Sequence, residues 1–121
     1  MAYQSDIPVY RYQFTKENGY HGTYHSGEMA YCYGNIARQK RPYAYNDSDF
    51  KLESIMLNYW ANFAKNGNPN GEGLPTWNTY QSSGDQVMEL GANVGPIADN
   101  YLPLYELLDE FIDNQINKVS E

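Results

Sequence analysis

One continuous apolar stripe dictates what this chain can fold into. Leu52, Ile55, Met56, Tyr59, Trp60 and Phe63 stand at i, i+3, i+4, i+7, i+8 and i+11, so a helix over 48–65 presents them on one face. Ser48 or Asp49 can cap its start, and Gly67 lies just past its end, where a left-handed residue is wanted. A second amphipathic helix is predicted over 103–118. Leu104, Leu107, Leu108, Phe111, Ile112 and Ile116 share its face, and Pro103 suits its first turn. Two wide apolar faces must therefore be buried against something.

Material to cover them is scarce. Residues 7–14 read as a strand, with Tyr10, Tyr12 and Phe14 alternating with Arg11 and Gln13. Pro8 fits the first strand position. Gln86–Leu90 reads as a second short strand. A loop over 15–28 carries Asn18-Gly19, Gly22 and Gly27, a short apolar piece at 29–34 has no clear type, and 66–75 is rich in turn residues. There is no internal repeat. At 121 residues the chain is long enough for one domain. The fold expected is α/β with few strands, a single partial domain over 1–121 with bare strand edges, a piece of something larger.

Composition removes several function classes. The net charge of −7 argues against nucleic acid as a partner. The acidity falls almost wholly after residue 41, spread along helical faces as a solvated surface. Cys32, the sole cysteine, forms no internal disulfide and reads as a small buried hydrophobe. No apolar run approaches the ~20 residues of a membrane span. Met1 to Asp6 is polar and Pro8 follows at once, so no signal peptide is expected, and the compartment stays open. Thirteen tyrosines, which bury area while keeping a polar tip, suit a wide cleft or surfaces that meet other protein.

The stretch 19–28, GYHGTYHSGE, holds both histidines. A metal site on His21, His25 and Glu28 would need a helical face, which three glycines interrupt, so no metal is expected. Asn66-x-Asn68-x-Asn70-Gly71 copies the start of a calcium loop, but its twelfth position is Trp77 and Pro69 interrupts it. A histidine on a loop straight after a strand can also swing its imidazole over the strand edge to exchange protons with a nucleophile.

The residues around His25 select that last reading. Gly22-Thr23-Tyr24-His25-Ser26-Gly27-Glu28-Met29-Ala30-Tyr31-Cys32-Tyr33-Gly34-Asn35 resembles the catalytic-histidine loop of the type-B carboxylesterases, the carboxylesterase/cholinesterase family. Met56 to Asn70, MLNYWANFAKNGNPN, resembles that family's helix and following loop. Leu74 to Tyr80, LPTWNTY, Gln86–Leu90 and the strand Val9 to Phe14 continue the resemblance, in the family's order, from about residue 7 to 112. Ser26-Gly27 stands where Gly-Ser is commoner.

The resemblance implies the C-terminal part of an α/β-hydrolase fold. His25 takes the acid–base role of a Ser-Glu/Asp-His triad, Glu28 a structural place, and His21 no assigned role. No cofactor is implied. The remaining triad parts do not appear: no serine has glycine at both −2 and +2, and no H-G-G-G stretch exists for an oxyanion hole. The chain is expected to be inactive alone. Its expected partners are the missing N-terminal part of the esterase, a small-molecule ester for the whole enzyme, and a second copy of itself; nucleic acid and membrane are not expected. The alternative is a non-catalytic interaction module derived from an esterase.

Overall fold

The computed structural model describes residues 6–17, 22–40, 44–82 and 84–120. Asn18, Gly19 and His21 lie outside them, as does most of Met1 to Asp6. Its elements run β1 (Tyr12–Phe14), α1 (Met29–Cys32), a single 3-10 turn (Ile36–Arg38), α2 (Asp47–Asn66), β2 (Gln86–Leu90), β3 (Val94–Ala98) and α3 (Leu102–Ser120).

The striped segment is α2. Its cap is Asn46 rather than Ser48 or Asp49. The Asn46 Oδ1 accepts the Ser48 N–H at 2.9 Å, and Asp49 Oδ2 reaches back to accept the Asn46 N–H at 2.8 Å. Two groups that helix initiation leaves without partners are thereby satisfied reciprocally. Asp47 and Asp49 in the first turn and Lys65 in the last complement the helix dipole. Gly67 closes the helix at φ 70°, donating its N–H to the Phe63 carbonyl at 2.8 Å.

The sheet has the order β1-β2-β3. β1 runs parallel to β2, with Tyr12 opposite Met88 and Phe14 opposite Leu90, and β2 runs antiparallel to β3. Parallel neighbours need a long crossover, and α1 and α2 lie within it. β1 is shorter than the predicted 7–14, because Ile7 and Val9 bond to a loop instead of a strand. The Val9 carbonyl accepts from the Tyr80 N–H at 2.7 Å and the Ile7 carbonyl from Gln81 Nε2 at 2.8 Å. β3 is unforeseen. Its Gly95-Pro96 pair masks the strand pattern, and proline is tolerated at a sheet edge. The unassigned piece at 29–34 contains the one-turn α1.

Leu52, Met56 and Tyr59 of α2 pack with Met88 and Leu90 of β2, and with Tyr31, Ile36 and Trp77, as one core. Each fully buried apolar side chain there contributes about 2 kcal/mol. Trp77 is held by several contacts. Its Nε1 donates to the Arg11 carbonyl at 3.2 Å, its ring meets Tyr59 edge-on at 5.2 Å, and Asn70 grips its backbone N–H and carbonyl at 2.6 and 2.8 Å. Asn68 Oδ1 accepts the Asn70 N–H at 2.9 Å. Asn68 and Asn70 of the calcium-like pattern thus spend their oxygens on a turn.

α3 buries none of its residues. Its first turns meet the body where the Arg11 guanidinium lies over the Tyr105 and Tyr80 rings, 5.1 and 4.4 Å from their centroids, and pairs with Asp99 at 3.0 Å. Cys32 is half-buried against the core rather than enclosed by it.

Candidate active site

The site is built outward from the end of β1. The Thr15 N–H continues the ladder to the Leu90 carbonyl at 2.9 Å, and its hydroxyl donates to Glu89 at 2.8 Å. Lys16 then turns inward, its ammonium 3.2 Å from Asp49 Oδ1. Beyond Gly22 the chain makes a tight turn over Tyr24-His25-Ser26-Gly27, closed by the Gly27 N–H on the Tyr24 carbonyl at 2.9 Å. Ser26, third in that turn, sits at φ 65°, a place that favours glycine. Gly27 is buried, and a Cβ there would lie 3.0 Å from the Tyr24 carbonyl oxygen. α1 begins two residues later.

His25 is exposed on this turn. Among the described residues its imidazole makes no hydrogen bond or ion pair, so the ring is open to a group brought to it. The other histidine, His21, lies outside the described residues. Beside the turn, Tyr24, Ser26, Met29, Tyr33, Asn35 and Gln39 line an open concavity of about 230 Å³. A second hollow of about 190 Å³ is aromatic, lined by Tyr10, Tyr12, Tyr59, Trp60, Phe63 and Trp77.

Glu28 acts within the scaffold. Its carboxylate faces the Tyr12 hydroxyl at 3.5 Å. Burial and then this carboxylate push the Tyr12 phenol up to about 12. Burial and the same carboxylate push the Cys32 thiol up to about 11, which makes it a poor nucleophile at neutral pH.

Asp49, a possible cap by sequence, does more than cap. It is 2% exposed. Besides Lys16, its Oδ1 accepts the Tyr31 hydroxyl at 2.7 Å, while Oδ2 holds the Asn46 N–H. Burial alone would raise its carboxyl; the Asn46 N–H, the Tyr31 hydroxyl and the Lys16 ammonium outweigh it and hold the group below its ordinary value. No spacing rule links Lys16, Tyr31 and Asp49, which meet only through the tertiary fold. Among the described residues no three His, Cys, Asp or Glu side chains are grouped to hold a metal ion, and no helix is long and apolar enough to cross a membrane.

The chain is similar to known proteins over most of its length. The family model described as "Carboxylesterase family" matches residues 1–103. Liver carboxylesterase 1 of Oryctolagus cuniculus is 48% identical over 46 residues, 38% of this chain and 8% of its own length. Cocaine esterase of Homo sapiens is 40% identical over 63 residues, 52% of this chain and 11% of its own. A solved structure of a PNB esterase superposes with a TM-score of 0.68 at 22% identity, over 82% of this chain and 21% of that one. The chain thus spans about a tenth of the length of the curated relatives it matches. The strands and helices of the described residues form a small part of an α/β-hydrolase fold, and the chain belongs to the carboxylesterase family.

Proposed function

We propose that this chain supplies the acid–base histidine of a serine carboxylesterase and is inactive alone. His25 takes the proton of a serine hydroxyl as that oxygen attacks an ester carbonyl, then returns it to the leaving alcohol. The serine, the carboxylate that fixes the imidazole's tautomer, and the oxyanion donors come from a further stretch of esterase polypeptide. A small-molecule carboxylic ester is the substrate of the whole enzyme. The observation behind the reading is the exposed imidazole of His25, at the tip of a turn braced on both sides, within the segment that matches the family. A non-catalytic module derived from an esterase has no such feature in its favour.

The purified chain is expected to hydrolyse a p-nitrophenyl ester no faster than buffer. In a chimera carrying residues 7–112 in place of the matching segment of the PNB esterase, His25→Ala is expected to lower kcat by roughly 10⁴ to 10⁶. His21→Ala should leave it within about twofold of the chimera, the background against which a catalytic loss of that size is read. An active His25→Ala chimera, or an isolated chain whose hydrolysis disappears with His25→Ala, would overturn the proposal.

A further inference from the structure

On each side of His25 a side chain of the described residues runs from the segment around the histidine turn to one and the same carboxylate. Lys16 leaves the end of β1 and meets Asp49 Oδ1 at 3.2 Å. Tyr31, in α1 just beyond the turn, donates its hydroxyl to the same oxygen at 2.7 Å. The carboxylate itself is anchored by Asn46 at the start of α2, the most extensively packed helix of the described residues. The side chains of Lys16 and Asp49 are 9% and 3% exposed. The Tyr31 ring is further wedged by Phe14 at 5.3 Å and Tyr45 at 6.0 Å.

We propose that Asp49 is a positioning residue for His25, clasping the strand exit before the histidine turn and the helix after it to the N-terminus of α2. The inference rests on the acid–base reading of His25. Such a reading needs a rigid mount, because a misplaced imidazole loses much of its catalytic advantage. The turn is held locally by the Gly27 N–H on the Tyr24 carbonyl and the Met29 N–H on the Ser26 carbonyl, at 2.9 and 3.2 Å, and Ser26 holds a left-handed conformation there. Further rigidity comes from the flanks, and the Lys16 and Tyr31 flanks converge on Asp49. A capping role alone would require only its Oδ2; the two contacts on Oδ1 join segments remote from α2 in sequence. Within a buried pair, loss of one partner strands the other's charge, so the clasp acts as a unit.

The test uses the full chain. His21 and His25 are its only imidazoles, so their ring ¹H–¹³C signals are assigned by His21→Ala alone. Tyr31→Phe removes one arm of the clasp and Lys16→Met the other. Each is expected to enlarge the fast ring motion of His25 at least twofold, with the helix content unchanged. Lys16→Arg, which restores the charge, is expected to bring the motion back. Asp99→Asn alters a buried carboxylate at the other end of the sheet. It is expected to lower the melting temperature yet leave the His25 signal as it was. Unchanged His25 motion in Tyr31→Phe and Lys16→Met, or equal loosening in Asp99→Asn, would overturn the proposal and leave Asp49 as a helix cap. Should Lys16→Met fail to fold, Tyr31→Phe alone decides. This readout is independent of ester hydrolysis. A clasp that orders the ring, beside an active His25→Ala chimera, would sink the acid–base reading and not the positioning.

Discussion

Ser26 holds the backbone angle that its neighbour's resemblance would assign to glycine. In the carboxylesterase pattern Gly-Ser is the commoner order after the histidine; here the order is Ser-Gly, and the serine falls at φ 65°. An L-residue there costs on the order of 1 kcal/mol or more. The glycine that follows has no positive φ but is crowded, with the Tyr24 carbonyl 3.0 Å from where a Cβ would stand. Ser26→Gly is therefore expected to raise stability by about 1 kcal/mol, reduced somewhat by the freedom glycine adds to the unfolded chain. A urea midpoint shifted upward at constant slope is the expected sign; a lower midpoint would mean that the serine side chain does more for the fold than its backbone costs. The exposed turn that carries His25 was legible because glycines and the strand before it lie within one short stretch. The strain beside it was not, since a sequence names residues and not their dihedral angles.

The first turn of α2 shows how one element serves both stability and the site. The Asp49 carboxyl titrates below its unfolded value of about 3.9, because the Asn46 N–H, Tyr31 hydroxyl and Lys16 ammonium overcome its burial. The native state then binds fewer protons than the unfolded state near that pH, so stability rises with pH. The contribution is complete above about pH 4 and disappears as pH falls through the lowered folded value. The melting temperature of the unaltered chain should exceed that of Asp49→Asn at pH 6, and the gap should narrow as the pH falls below about 4. A gap that persists in acid would trace the effect to shape and not to charge. α2 as a whole was legible because Leu52, Met56 and Tyr59 repeat at helical spacing without a break. β3 was hidden by Gly95 and Pro96, and α1 is too short to show a period. Asp49's partners stand too far off in sequence for any local pattern to join them.

At the scale of the molecule the prominent fact is an unburied face. Leu104, Leu107, Leu108, Phe111, Ile112 and Ile116 of α3 are 48–62% exposed. Their spacing marked them as one stripe, yet within the described residues nothing packs on it, and α3 is tied down only near Tyr105. Apolar area of this extent favours contact with other protein in water. We propose that the purified chain self-associates through α3, with each copy standing in for the esterase polypeptide that the proposed function supplies. Light scattering should then give an average mass that climbs with concentration. Leu107→Lys with Phe111→Lys places two like charges on the stripe and should return the mass to that of a single chain. Because Leu107 and Phe111 are 62% and 59% exposed, the pair should leave the melting temperature of the dilute protein within about 2 °C, as surface changes generally do. A fall in melting temperature well beyond that would mean the stripe packs within its own chain. A monomeric mass for the unaltered chain at every concentration would rule out the association itself.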